Sequence, residues 1–329
     1  MSEALIEQIN TVPDIFKINV PLPNNPLRNL NCYVLKTPHK NLIIDTGFNL
    51  KESKQALLEG LAKLEIDMAE TEVYATHMHA DHTGLIGEII RDDTIVYMSK
   101  QDYEYMVMYM TGGWRIVGTH MGQEGFSQDE IEANRRFNPS RNYATGKMFD
   151  PHLVRDGDNI RIGPYVLTVI SVPGHTPGNT CLYMENEKIL FTGDHILFNI
   201  TPNIVIWPGM EDSLGSYLKS LEKVRKLDIR LALPAHRTND MDIYKRIDQL
   251  IDHHEMRFEE VERILKEHQG ISAYDVASHM KWSMRGKDWS EFPAHQKWFA
   301  VGEARAHLDY LVLRGRVEEI IVNGIYLYY

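Results

Sequence analysis

Thr76-His77-Met78-His79-Ala80-Asp81-His82 places four side chains that can bind a metal within six residues. Imidazole nitrogen and carboxylate oxygen are the donors that zinc, manganese and iron accept. The preceding apolar run Val73-Tyr74-Ala75 reads as a short buried strand, and the segment from Thr83 to Ile90 as the start of a helix. In an extended segment alternate side chains share a face, so His77 and His79 can grip one ion together. Asp81 and His82 then fall in the turn before the helix and point at a second position beside the first. A lone histidine is more often a surface or satisfied core residue than a ligand. Three histidines and an aspartate in this pattern favour metal binding.

Other candidates stand at strand ends. Leu42-Ile43-Ile44 ends in Asp45-Thr46-Gly47, where the carboxylate either supports a metal ligand or simply closes a turn. Val166 to Ile170 runs into Pro173-Gly174-His175-Thr176-Pro177-Gly178, a rigid loop that is an expensive way to place a surface histidine. The strand Lys188 to Gly193 ends in Asp194, and Leu231-Ala232-Leu233 ends in Pro234-Ala235-His236-Arg237. Three strands thus each deliver one ligand-type residue at the same end, and the repetition is the argument.

These residues need a scaffold of strands and covering helices. Strands are expected at 16–20, 30–36 and 42–44, with an amphipathic helix at 50–64 carrying Leu57, Leu58, Leu61 and Leu64 on one face. Residues 101–150 are dense in Met and aromatics, including Met110 and Trp114. A helix is expected from Ser127 to Phe137, with Ser127 and Glu130 as a capping box. This insertion reads as a helical pair burying a small core, and equally as an adaptable apolar cap over the site. Helices follow at 212–227 and 241–268; in the second, His253, His254 and His268 are adequately explained as polar positions. From 269 to 329 a smaller module is expected. It has a helix opened by Ser272 and Asp275, a second from Phe299 to Leu313, and strands 317–322 and 325–329 joined by Asn323-Gly324. Helices followed by a hairpin resemble a winged helix.

Composition narrows the class. The 329 residues suit one large domain with a small one, and 43% apolar residues is ordinary for a soluble globular protein. A formal net charge of −11 gives no overall drive towards nucleic acid or anionic membrane. Two distant cysteines, Cys32 and Cys181, fit a reducing cytosol and argue against a thiolate zinc site. No segment approaches membrane-spanning length and the first residues lack a signal-peptide pattern, so a cytoplasmic protein is expected.

The assembled motif resembles the metallo-β-lactamase-fold hydrolases. Its H-x-H-x-D-H element matches His77, His79, Asp81 and His82. The later histidine, the bridging aspartate and the last histidine match His175, Asp194 and His236, and the strand-end aspartate matches Asp45. The match covers roughly residues 15–250. Thr192 to Leu197, Thr201-Pro202-Asn203 and the C-terminal module are similar to the β-lactamase-like 2 subgroup, whose compact members lack the 101–150 insertion. The resemblance implies an α+β fold, an αββα sandwich with metals at one edge, a catalytic domain at 1–268 and a winged-helix-like domain at 269–329. It implies two divalent metals, zinc first and iron or manganese as alternatives. One would be held by His77, His79 and His175, the other by Asp81, His82 and His236, with Asp194 bridging. Asp81 and Asp194 would be the catalytic carboxylates, acting with a metal-bound hydroxide. A histidine rather than glutamate at position 79 points to hydrolysis rather than the redox members of the fold.

His195, Arg237 and Trp114 are candidate substrate contacts. The expected substrate is a small apolar acyl thioester, ester or lactone, because the insertion is apolar and the chain acidic. Single-stranded RNA is the alternative, since the subgroup includes a ribonuclease, and a non-enzymatic binding protein ranks last because no ligand position is lost. Residues 271–329 carry seven Lys/Arg, including Arg285 and Lys287, against seven Asp/Glu. DNA binding is therefore not expected of the module, and walling the cleft or forming a homodimer is.

Overall fold

The computed structural model describes residues 5–282 and 288–329. Arg285, Lys287 and the first four residues lie outside the described residues. Seven strands form the first sheet in sequence order: β1 (Ile6–Thr11), β2 (Asp14–Pro21), β3 (Asn29–Lys36), β4 (Asn41–Ile44), β5 (Thr71–Tyr74), β6 (Val96–Ser99) and β7 (His152–Val154). The first four pair antiparallel and the last four parallel. The second sheet holds β8 (Asn159–Ile162), β9 (Tyr165–Ser171), β10 (Thr180–Met184), β11 (Ile189–Gly193) and β12 (Leu231–Pro234). It is antiparallel except for the parallel pair β11–β12.

Strand alternation builds the layers. Tyr33 and Leu35 face Leu182, Met184 and Phe191 of the other sheet, filling the space between the sheets. Their neighbours Cys32 and Val34 face outward with Ile18 and Ile43, under α1 (Lys51–Lys63). On the second sheet Cys181, Tyr183 and Leu190 face outward, under the helices at Ser213–Val224 and Ile243–Glu267 of the opposite helical layer. Helix, sheet, sheet and helix follow from this two-residue period. Of the α1 leucines Leu57 and Leu61 are buried there, with Ser53 and Gly60 beside them; Leu58 is exposed, since it lies 100° from Leu57 on a helix whose buried stripe is narrow.

The segment after β5 differs from expectation. It forms α2 (Ala80–Thr83) and α3 (Ile86–Ile89), so Asp81 and His82 sit inside a helical turn rather than before one. The helical hydrogen bonds begin at the His79 carbonyl, which receives the amides of His82 and Thr83. Gly84 separates the two turns, packed against the backbone of Gly47 and Asn49.

The insertion holds α4 (Lys100–Met108), α5 (Trp114–Gln123), α6 (Gln128–Phe137) and α7 (Pro139–Asn142), with a kink at Gly112. The Ser127–Glu130 capping box forms as expected. The second helical layer is α8 (Ser213–Val224) and α9 (Ile243–Glu267), followed by α10 (Ala273–His279), α11 (Ala294–Val312) and the hairpin β13 (Glu319–Val322) and β14 (Ile325–Tyr328). Helix α11 starts five residues before the expected Phe299, directly after Pro293, which is a natural helix opener. Leu308, Leu311 and Tyr328 share one apolar cluster with Tyr217, Ile247 and Phe258, so the C-terminal residues close over the second helical layer. The insertion meets them through polar contacts: Lys297 Nζ to Glu130 at 2.9 Å and Arg305 to Glu124 at 3.2 Å. Among the described residues no helix is long and apolar enough to cross a membrane.

Candidate metal centre

The C-terminal ends of β4, β5, β9, β11 and β12 meet at one rim of the sandwich, and each carries residues singled out above. Sharp backbone turns aim them. Asp45 adopts φ 60°, a left-handed conformation disfavoured for a residue with a Cβ. Gly174, just before His175, has φ 142°, and a Cβ there would lie 2.5 Å from Tyr217 Cβ. Gly193, before Asp194, has φ 51° and lies against Thr76. Strained turns of this kind persist where the surroundings hold them, as functional sites often require.

Two sets of donors converge. His77 Nε2 and His175 Nε2 each lie 3.0 Å from His79 Nδ1. Beside them, Asp81, His82 and His236 form a second group, with His236 Nε2 3.4 Å from Asp81 Oδ2. Asp194 stands between. Its Oδ1 is 3.4 Å from His236 Nε2 and 3.7 Å from His82 Nε2, and its Oδ2 is 3.7 Å from His175 Nε2. Both sets appear among the ligand groups that the resemblance implies, and a third, overlapping group joins His77 and His82 to Asp194.

The outer ring nitrogens are tied to the protein. His175 Nδ1 donates to the Asn203 carbonyl and His236 Nδ1 to the Asn29 carbonyl, both at 2.8 Å. His82 Nδ1 donates to Asp45 Oδ2 at 2.8 Å, and the same carboxylate receives the Thr76 amide and hydroxyl. Each bond points Nε2 at the centre, where the ring offers its lone pair once a cation takes the place of a proton. Among the described residues, buried His82 Nε2, His236 Nε2 and Asp194 Oδ1 have no hydrogen-bond partner. Buried polar atoms are normally satisfied, so this donor set fits a divalent cation.

The electrostatics agree. Burial, with His82 adding to it, drives His77 well below the usual histidine range. Burial and His175 bring His79 down to about 3. Both rings are therefore neutral ligands at physiological pH. In the second set burial opposes charge on His82, but Asp45, Asp194 and Asp81 outweigh it and raise that imidazole well above its ordinary value. Burial would raise Asp81, yet His82 and His236 hold it at about 2. Positive charge is favoured at this position, as a cation requires.

Asp102 was not visible from the sequence. At the start of α4 and fully buried, it accepts the Met78 amide at 2.9 Å, the Thr176 hydroxyl at 2.6 Å and the Gly178 amide at 2.6 Å. It thereby joins the loop bearing His77 and His79 to the loop bearing His175. Burial raises its pKa to about 6, and these three hydrogen bonds limit the rise.

His79 and His175 open onto a cavity of about 570 Å³. Met106, Tyr109, Met110 and Trp114 of the insertion line it, as do Trp207 and, from α11, Trp298 and Phe299. Trp114 is thus among the lining residues. His195 and Arg237 are not. His195 is fully buried behind Asp194, its ring 5.3 Å from that of Tyr217, because the chain turns inward after Gly193. Arg237 points to the opposite side and donates to the Pro26 carbonyl, while its own carbonyl receives Asn31. Neither lines the cavity.

Residues 26–236 match the model of a family described as the metallo-beta-lactamase superfamily. A Caenorhabditis elegans protein named beta-lactamase-like protein 2 homolog is 28% identical, over 80% of this chain and 77% of its own. An Aspergillus fumigatus atrochrysone carboxyl ACP thioesterase is 23% identical over 73% of this chain and 46% of its own. Among solved structures, a beta-lactamase domain protein from Burkholderia ambifaria superposes with a TM-score of 0.84 at 24% identity, covering 98% of this chain and 93% of that one.

Proposed function

The chain belongs to the metallo-beta-lactamase superfamily and is a metal-dependent hydrolase; on that premise we propose that it hydrolyses a thioester, ester or lactone of a small apolar acyl group. The observation that carries the proposal is the apolar cavity of about 570 Å³ opening directly onto His79 and His175. A largely apolar cavity suits an acyl chain better than a polymer backbone, and the similarity to a protein named as a thioesterase points the same way.

In this reading His77, His79 and His175 would hold one divalent ion and Asp81, His82 and His236 another, with Asp194 between them and zinc ahead of iron or manganese. Such ions supply Lewis acidity and lower the pKa of water towards neutrality. The chain does the rest. The cavity wall seats the acyl group with its carbonyl at the rim. Asp81, ionised, orients the attacking water and relays its proton to the leaving thiol or alcohol. The water oxygen bonds to the carbonyl carbon, the carbon–sulfur or carbon–oxygen bond breaks, and an acid and a thiol or alcohol leave. Helix α11 serves as cavity wall through Trp298 and Phe299, and the C-terminal residues do not act as a DNA reader.

The test is a panel of acyl thioesters, esters, lactones and single-stranded RNA, with reconstituted wild type and the H77A/H79A double variant. Metal-dependent acyl turnover is expected, with close to two metal equivalents per chain. RNA cleavage without turnover of any acyl substrate would overturn the proposal.

A further inference from the structure

The cavity wall is apolar, but three arginines also line it: Arg115 from α5, Arg135 from α6 and Arg141 from α7. Among the described residues no aspartate or glutamate does, in a chain whose formal net charge is −11. All three arginines are exposed, whereas Met78, Met106 and His175 are buried, so the arginines stand at the mouth and the histidine rim at the floor. They are not equally available. Arg135 is held by Glu132 through two contacts, at 3.0 and 3.1 Å. Among the described residues Arg141 donates one bond, from Nη1 to the Arg135 carbonyl at 2.8 Å. Arg115 has no side-chain hydrogen bond or ion pair among the described residues.

A guanidinium is a planar fork matched to carboxylate and phosphate, and a cavity mouth partly shields it from solvent. Keeping two such groups uncompensated over an apolar pocket disfavours a cationic ligand and leaves a neutral one without a partner for them. Resting on the acyl-hydrolase reading above, we infer that the substrate is an acyl compound bearing an anionic group, which Arg115 and Arg141 hold at the mouth while the apolar part runs down to the rim. The anion has two chemical sources. It is a phosphate on the leaving arm, as in a coenzyme A or phosphopantetheine thioester, or a carboxylate on the acyl chain.

Two matched pairs separate the sources. Hexanoyl-coenzyme A is compared with S-hexanoyl-N-acetylcysteamine, which has the same thioester without phosphates. The 4-nitrophenyl monoester of adipic acid is compared with 4-nitrophenyl hexanoate. Wild type is expected to prefer the anionic member of at least one pair by about tenfold in kcat/KM. That preference should shrink as salt is raised and collapse towards unity in the R115Q/R141Q variant. No preference in either pair, or one untouched by the double substitution, overturns the inference.

Binding provides a readout independent of turnover, using S-hexyl-coenzyme A, S-hexyl-N-acetylcysteamine and hexanoic against adipic acid, followed by tryptophan fluorescence. If no acyl substrate is hydrolysed but an anionic probe binds in an Arg115- and Arg141-dependent way, the hydrolase reading fails and the anion site stands. If acyl turnover is seen without arginine-dependent binding, the anion site fails and the hydrolase stands. Arginine-dependent binding of single-stranded RNA in place of every acyl probe would overturn both.

Discussion

Among the described residues two histidine clusters are largely buried, and the contrast between them defines the candidate site. At the rim, His77 and His175 each bring a nitrogen to 3.0 Å from His79 Nδ1. Between α9 and α11, His254 Nδ1 and His307 Nε2 also lie 3.0 Å apart. Distance alone does not separate them. A single proton satisfies the second pair, and His307 Nδ1 donates onward to the Glu303 carbonyl. His254 Nε2 has no partner, but no carboxylate and second imidazole converge on it to form a ligand group among the described residues. At the rim three nitrogens share one point beside Asp81 and Asp194, which protons alone cannot satisfy. Convergence with carboxylates, rather than histidine density, marks a metal centre. His254 also corrects the reading of α9, since it is buried against His307 rather than set on a polar face.

The sharpest way to break this contrast is to remove ligands. The H77A/H79A variant should lose metal-dependent turnover by more than the roughly 100-fold expected for any supporting residue, while H254L keeps its metal content. Metal analysis and single-turnover rates check both; H254L losing metal as readily would dissolve the distinction. Asp194→Ala should lose at least one equivalent, since its two oxygens face both sets.

Next come the residues that hold the ligands. Asp102→Asn keeps the shape but weakens its acceptance of the Met78 and Gly178 amides, and should cost roughly 10–100-fold in metal affinity. Competition with a chelator measures it. Unchanged affinity would limit Asp102 to a packing role.

The α9–α11 cluster should instead report on stability. Burial lowers His307 to about 4 despite the opposing Glu303, and burial with His307 lowers His254. The unfolded chain binds protons here that the folded chain refuses, so this contribution is complete above about pH 6.5 and lost as pH falls towards 4. For His307 it amounts to about 3 kcal/mol. Denaturant titrations of apo wild type and H307L from pH 7.5 to 4.5 should show a steeper acid loss in wild type, and parallel curves would contradict the assignment.

The smallest effect is expected at the cavity wall. Trp114→Ala or Met110→Ala should raise KM several-fold for long acyl chains and less for short ones, as partial loss of a buried apolar contact implies. An equal effect on both would leave these residues only a packing role.

Much of the rim is local and therefore readable in sequence. His77, His79, Asp81 and His82 are neighbours by spacing alone, and Asp45, His175, Asp194 and His236 each follow an apolar strand closed by a turn. Strand periodicity also determines which residues face the inter-sheet core, so the four layers follow from it. What spacing does not contain is the meeting of distant segments. Asp102 reads as an ordinary acid in the first turn of a helix capped by Ser99, and only packing brings it to Met78, 24 residues earlier, and Gly178, 76 residues later. His195 and Arg237 adjoin ligands in sequence, but the turns at Gly193 and Arg237 carry their side chains away from the cavity. The apolar insertion was visible as composition. That α5, α6 and α7 would turn three separate arginines towards one mouth was not, because each helix records which face it buries but not what the faces of its neighbours bring to the same space.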